Sequence, residues 1–209
     1  MCTIRVFLYR KHIMSKLILA SASPRRKELL KNLGYDFSIE VCDLEEKSDK
    51  TKPYELVMDL AKTKAKAIMD MHSGEDVVVL GADTIVVNEE EVLGKPRDLN
   101  HAKEMISFLQ GKTHQVYTGV CLFWNEENKT DALSFYEKTD VMVYPMTQEE
   151  IETYVETKEC LDKAGSYAIQ GLFSPYIQGI CGDYNNVVGL PVSRIYQEMK
   201  KLGLDITND

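Results

Sequence analysis

The sequence predicts a mixed α/β fold: a twisted central β-sheet flanked by helices, with two lobes around a cleft. Two observations carry this. Short β-branched or leucine-rich runs alternate along the chain with segments of helical periodicity, in the order βαβαβαββα. No internal repeat, low-complexity linker or break in composition divides the chain, so residues 14–209 read as a single domain.

Lys16-Leu17-Ile18-Leu19-Ala20 is an apolar run before a turn cluster and reads as a short buried strand. A helix follows, with Ser23 as N-cap, Pro24 at the first helical position, Leu29, Leu30 and Leu33 as its apolar stripe, and Gly34 at its end. Phe37 to Val41 reads as a second strand, running into the charged loop Asp43-Leu44-Glu45-Glu46-Lys47. Pro53 opens a long helix to about Met71, with Leu56, Leu60, Ala61, Ala65 and Ile68 near helical spacing. Val77 to Leu80 and Ile85 to Val87 read as a buried central strand interrupted at Gly81-Ala82-Asp83-Thr84. Leu93-Gly94-Lys95-Pro96 leads to a helix over His101 to Leu109, closed by Gly111. Val116 to Trp124 and Ala132 to Tyr144 form a hairpin around Asn125-Glu126-Glu127-Asn128. Thr147-Gln148-Glu149-Glu150 is a capping box opening a helix to about Thr157. The glycine-rich stretch Asp162 to Gly189 is long for a structureless loop and is therefore suspected of function. Pro191, at the first helical position, opens a last helix that ends at Gly203.

The chain has 209 residues, is 44% hydrophobic and carries a formal charge of −8. That balance argues against a general nucleic-acid or anionic-membrane binder, which needs a broad basic surface, so an anion site must be local. No apolar run approaches the roughly 18 residues that cross a membrane. Cys2, Cys42, Cys121, Cys160 and Cys181 are widely spaced with no C-x-x-C pair, which fits reduced thiols in a cytoplasmic protein rather than a disulfide framework or a zinc site. Residues 1–13 read as an extension outside the fold with Met14 as functional start, a mitochondrial presequence being the alternative for this basic, acid-poor segment.

The residues that could carry chemistry start with Arg25 and Arg26. A helix N-terminus favours anions, so two cations in the first turn oppose the dipole unless an anionic ligand sits there. The alternative is that both guanidiniums face solvent at a cost of a few tenths of a kcal/mol each. Asp83 is a carboxylate marooned among β-branched side chains, costly unless paired, metal-bound or lining a cavity; the competing reading is a cap for a turn at Gly81. Glu46 alone is an ordinary loop residue, and Lys64 lies on an ordinary wet helix face. Lys95 follows a glycine that lets a backbone approach closely and precedes a proline that fixes the chain. Together they are the parts of metal-assisted phosphoryl chemistry: carboxylates for Mg²⁺ or Mn²⁺, Arg and Lys for phosphate oxygens. The G-x-x-x-x-G-K-[ST] spacing of a P-loop is absent.

From Lys16 to about Gly203 the chain resembles the Maf family of nucleoside triphosphate pyrophosphatases. The blocks that carry the resemblance are Leu19-Ala20-Ser21-Ala22-Ser23-Pro24-Arg25-Arg26, Gly81-Ala82-Asp83-Thr84-Ile85-Val86, Leu93-Gly94-Lys95-Pro96, Asp162-Lys163-Ala164-Gly165-Ser166-Tyr167-Ala168-Ile169-Gln170-Gly171 and Val187-Val188-Gly189-Leu190-Pro191. The resemblance implies a nucleotide-binding cleft and metal-assisted hydrolysis of a nucleoside triphosphate between its α and β phosphates. It makes Asp83 the base that activates water, Glu46 a metal-associated carboxylate, with Asp83 as its companion on the metal, and Lys64 and Lys95 phosphate ligands. Ser23, Arg25 and Arg26 would bind the triphosphate. Arg25, Thr84 and Gln170 resemble the subtype acting on dTTP and UTP, with modified pyrimidine nucleotides as further candidates. An amide at 170 can both donate to and accept from a uracil or thymine edge. The alternatives are the 7-methyl-GTP or broad-range subtype and, in another class, a nucleotide-binding regulator of septum formation. The resemblance also implies a homodimer.

Overall fold

The fold is described from a computed structural model covering residues 16–45, 47–126 and 129–204. The 1–13 extension, Met14 and Glu46 lie outside these residues. The elements are β1 (Lys16–Leu19), α1 (Pro24–Lys31), β2 (Phe37–Ile39), α2 (Pro53–Met69), β3 (Val77–Asn88), β4 (Glu91–Leu93), α3 (Leu99–Leu109), β5 (Thr113–Glu126), β6 (Lys129–Val143), α4 (Gln148–Glu156), β7 (Ile177–Cys181), α5 (Tyr184–Val188) and α6 (Val192–Leu202). The strands form one seven-stranded sheet in the order β2-β1-β3-β5-β6-β7, with β4 pairing β3. β1 runs parallel to β2 and β3, and the remaining pairs are antiparallel.

The caps behave as their chemistry requires. Ser23 is the N-cap of α1, its hydroxyl accepting the Arg26 N–H with Pro24 behind it, and the Thr147/Glu150 capping box is formed at both ends. Gly203 ends α6 in the left-handed conformation (φ 70°). Pro191 differs from expectation: it is the N-cap of α6, with ψ 73°, rather than its first helical residue.

Central strand β3 is continuous for 12 residues, with no turn at Gly81-Ala82-Asp83-Thr84. The glycine that suggested a turn serves packing. A Cβ at Gly81 would lie 2.5 Å from the Ala61 carbonyl oxygen and 2.8 Å from the Ala65 Cβ. On the neighbouring strand, a Cβ at Gly119 would strike the Val57 backbone. Helix α2 therefore lies directly against the β3–β5 backbone, and Val57, Ala61, Ala65 and Ile68 are buried there. Val57 and Ile68 contribute about 1.5–3 kcal/mol each by leaving water.

Alternation along β3 divides the core. Val77 and Val79 pack with α2, whereas Val78, Leu80 and Ala82 point to the opposite face and pack with Leu29 and Leu30 of α1 and Ile195 of α6. Further along, Val86, Val116 and Val141 pack with Ile106 of α3 and Ile151 of α4. β1 pairs β3 only from Val77 to Leu80, and β4 pairs it only from Val86. Among the described residues, Gly81–Ile85 therefore has no strand neighbour on that edge.

The glycine-rich stretch is structured: it holds 3₁₀ turns at Ala164–Ser166 and Ser174–Tyr176, then β7 and α5. Behind it, His114 of β5 is fully buried and its Nε2 lies 2.7 Å from the Tyr167 hydroxyl. Burial pushes the imidazole down to about 4, with a smaller opposing pull from Asp140. A neutral His114 stabilises the fold fully above the ordinary value of 6.5 and progressively less as pH falls toward 4. His72 works the other way, because hydrogen bonds to Glu40 and then Glu75 raise it and favour the fold at low pH. His114→Gln should therefore lose about 2 kcal/mol less stability than wild type between pH 7 and pH 5 in urea unfolding. Equal losses would show that burial does not hold His114 neutral.

Candidate functional site

A cavity of about 740 Å³ opens beyond the carboxyl end of β1, against the unpaired edge of β3. Crevices outside the carboxyl ends of parallel strands are the usual ligand position in open α/β sheets. The β1–α1 turn, α2, the middle of β3, Gly94-Lys95, residues 162–170 and residues 187–189 line it. Ser23, Arg25, Arg26, Lys64, Asp83, Thr84, Lys95 and Gln170 all face this one cavity, so every expected site residue among the described ones converges.

Asp83 is 9% exposed and pairs with Lys64, whose Nζ lies 2.6 Å from Oδ1. The sequence folds this way because Leu60, Lys64 and Ile68 recur at four-residue spacing on the cavity side of α2, and the glycine contacts bring that helix close. Asp83 is thus a paired carboxylate on a cavity wall, which rules out the turn-cap reading.

Arg25 and Arg26 have different environments. The Arg25 guanidinium lies 3.7 Å from an Asp162 carboxylate oxygen, bridging the β1–α1 turn to the 162–170 wall. Burial acts to raise the Asp162 carboxyl, but Lys163, bonded at 2.6 Å, and Arg25 together hold it below its usual range. Arg26 is bonded to the protein at all three guanidinium nitrogens: Nε to the Gly189 carbonyl at 2.8 Å, Nη1 to Ser21 Oγ at 3.2 Å and Nη2 to Thr84 Oγ1 at 3.0 Å. The geometry makes Arg26 a tie between three cavity segments.

Lys95 is exposed at the rim. The close approach expected at Gly94 is found instead at Gly165: a Cβ at Gly94 meets nothing, whereas Gly165 has φ 66° and would collide with Val86. The Gly165 N–H donates to the Gly94 carbonyl at 3.0 Å, which joins the two walls. Gln170 is exposed to the cavity. Glu159 anchors its segment, both carboxylate oxygens accepting the Leu172 N–H at 3.2 and 3.1 Å and its carbonyl accepting from Lys163 Nζ at 2.7 Å.

Sequence reasoning missed Ser21, Thr118, Asn186 and Glu159 as site supports. The one available signal was the placement of Ser21 inside a recognised block. Thr118 becomes visible only through the β3–β5 register, which sets it opposite Thr84.

Hard oxygen donors fit Mg²⁺ or Mn²⁺. Asp83 keeps a second carboxylate oxygen beyond its bond to Lys64 and is such a donor on the cavity wall. No group of three or more His, Cys, Asp or Glu residues able to hold a metal occurs among the described residues.

The chain is similar to several known proteins. A protein from Agathobacter rectalis named dTTP/UTP pyrophosphatase is 48% identical over 205 residues, covering 92% of this chain and 100% of that protein. A protein of the same name from Bacillus cereus strain G9842 is 50% identical over 196 residues, covering 93% and 100%. Among solved structures, the Staphylococcus aureus Ham1 protein aligns with a TM-score of 0.49 and 12% identity over 90% of this chain and 100% of that one. Residues 16–202 match the family model described as Maf-like protein, and that match spans every wall of the cavity. The chain belongs to the Maf family.

Proposed function

We propose that the chain hydrolyses dTTP and UTP between the α and β phosphates, releasing the nucleoside monophosphate and pyrophosphate. The observation that carries this reading is the identity of about half, over more than nine-tenths of both chains, with proteins named for that activity. A water oxygen bonds to the α-phosphorus, the bond from that phosphorus to the bridging oxygen breaks, and the water proton passes to Asp83. Lys64 pairs with Oδ1 of Asp83 and fixes the carboxylate on the cavity wall. The N-terminus of α1 with Ser23, and Arg25 and Lys95 on the same cavity, supply positive charge for the triphosphate. Asp83 and Glu46 would hold a Mg²⁺ or Mn²⁺ ion, which when bound draws negative charge from the phosphate oxygens. Arg26 holds Ser21, Thr84 and Gly189 in register around the nucleotide.

Assembly as a homodimer, a single domain over 14–209 and a cytoplasmic setting belong to the same proposal and rest on family membership. No helix among the described residues is long and apolar enough to cross a membrane.

The test is pyrophosphate release from a panel of nucleoside triphosphates with Mg²⁺ or Mn²⁺ and a chelator control. Selective, metal-dependent turnover of dTTP and UTP is expected. Turnover of 7-methyl-GTP in their place would overturn the specificity, and binding without turnover would overturn the activity.

A further inference from the structure

Helix α2 runs on into a 3₁₀ turn, Asp70–His72, and the His72 ring bridges two carboxylates. Its Nε2 lies 2.7 Å from Glu40 Oε2 and its Nδ1 lies 3.0 Å from Glu75 Oε2. A carboxylate only accepts, and of the three groups the imidazole is the strongest base. Both ring nitrogens therefore carry a proton, and the ring is an imidazolium. Glu40 is also where the body of the fold last holds its segment. The Glu40 N–H donates to the Leu19 carbonyl at 3.2 Å and so extends the β1–β2 pairing by one bond. Among the described residues, Val41 to Glu45 make no hydrogen bond or ion pair to another element; the next tie is Ser48 Oγ, donating to Asp59 Oδ2 of α2 at 2.6 Å. Glu40, Val41, Cys42 and Leu44 line the cavity, so this wall hangs from Glu40.

We propose that His72 is a proton-operated positioning residue: as an imidazolium it fixes Glu40, and with it the 40–44 wall of the cavity, and as the neutral ring it loosens both. The neutral ring has one N–H for two carboxylates, so Glu40 shares it with Glu75, and the bond that remains has lost its charge assistance. The other groups around the ring do not take over. Lys16, which opens β1, is exposed and stands 3.9 Å from Glu40 Oε1, a separation that contributes little in water. Asp70, on the same turn, is taken by Lys66 of α2, and from β5 the uncharged Asn125 amide donates to the His72 and Glu75 carbonyls. Hydrogen bonds from Glu40 and then Glu75 raise the ring above its ordinary 6.5, so the tie is complete below 6.5 and is lost as pH rises through the raised value. The tie goes beyond the proposed hydrolysis; its effect on nucleotide affinity rests on that reading.

The test follows the His72 ring by NMR titration, assigned by its disappearance in His72→Gln, beside hydrogen exchange of the Glu40 amide corrected for the intrinsic dependence on pH. In wild type that exchange should rise about fivefold as the ring loses its proton, with one midpoint in both readouts; the factor is the difference between a charge-assisted and a neutral hydrogen bond. His72→Gln should exchange at the faster rate throughout and show no step. Glu75→Gln leaves Glu40 in place but removes one of the two negative partners, so both midpoints should move together to lower pH. Should His72→Gln fail to fold, the ring whose midpoint moves in Glu75→Gln identifies His72. An exchange step that persists without His72, or wild-type exchange that stays constant while the ring titrates, overturns the inference. Affinity for a non-hydrolysable UTP analogue, as the ratio of wild type to His72→Gln, should be about fivefold below the midpoint and close to one above it. A flat ratio with the exchange step intact overturns the role of His72 toward the cavity. Absence of nucleotide binding overturns the proposed function, and the exchange step still decides the tie.

Discussion

Asp83→Asn should lower kcat for UTP by about 10³-fold or more, because an amide cannot take the proton from the attacking water. The substitution is nearly isosteric, so the cavity keeps its shape. It also removes one negative partner, bonded at 2.6 Å, from the Lys64 ammonium, whose side chain is only 19% exposed on the wall. Such a cation suits a bound triphosphate, so KM for UTP should stay within a few-fold or fall. The check is single-turnover kinetics beside equilibrium binding of a non-hydrolysable UTP analogue, with the melting temperature as a folding control. Near-normal turnover would remove Asp83 from the role of base. Loss of binding together with turnover would make the Lys64 pair a scaffold and not a reacting pair.

The second large effect concerns Gly81. Its substitution by alanine puts a Cβ 2.5 Å from the Ala61 oxygen and 2.9 Å from the Ala65 nitrogen, both backbone atoms of α2 that no rotamer change can move. The helix must withdraw from the sheet. Overpacking against backbone of this kind costs about 3 kcal/mol, which for a domain of this size lowers the melting temperature by several degrees. Activity should fall further than stability does, because Lys64 travels with the helix while Asp83 stays on the strand. Calorimetry and kcat on the same sample separate the two effects. A Gly81→Ala protein with full activity and an unchanged melting temperature would show that α2 does not bear on β3 as described.

The same glycine explains where the sequence was misleading. Gly81-Ala82-Asp83-Thr84 has the composition of a turn, but its small residues answer to a helix that meets the strand from outside the local sequence. Signals confined to a few neighbouring residues were readable: the Ser23-Pro24 start of α1, the Thr147 capping box and the left-handed glycine after α6. Segments without periodicity were not, and β7 and α5 were hidden in the glycine-rich stretch for that reason. The site divides in the same way. Asp83 stood out because a carboxylate in an apolar run is conspicuous, recognised blocks supplied Lys95 and Gln170, and Lys64 came from the family resemblance outside those blocks. The environment of Arg26 could not be read, since its acceptors at Thr84 and Gly189 lie far along the chain.

That separation bears on the order in which the molecule is made. The bond from Arg26 to Gly189 joins residues 163 apart, and the bond from Thr118 to Asn186 joins residues 68 apart. On a ribosome the arginine emerges early, and the acceptors at Asn186 and Gly189 arrive when almost the whole chain has been polymerised. A nascent chain that stops short of Asn186 has Asp83 and Lys64 but lacks the Asn186 and Gly189 carbonyls, so the ties that hold the β1–α1 turn and β5 to the far wall of the cavity are among the last to be completed.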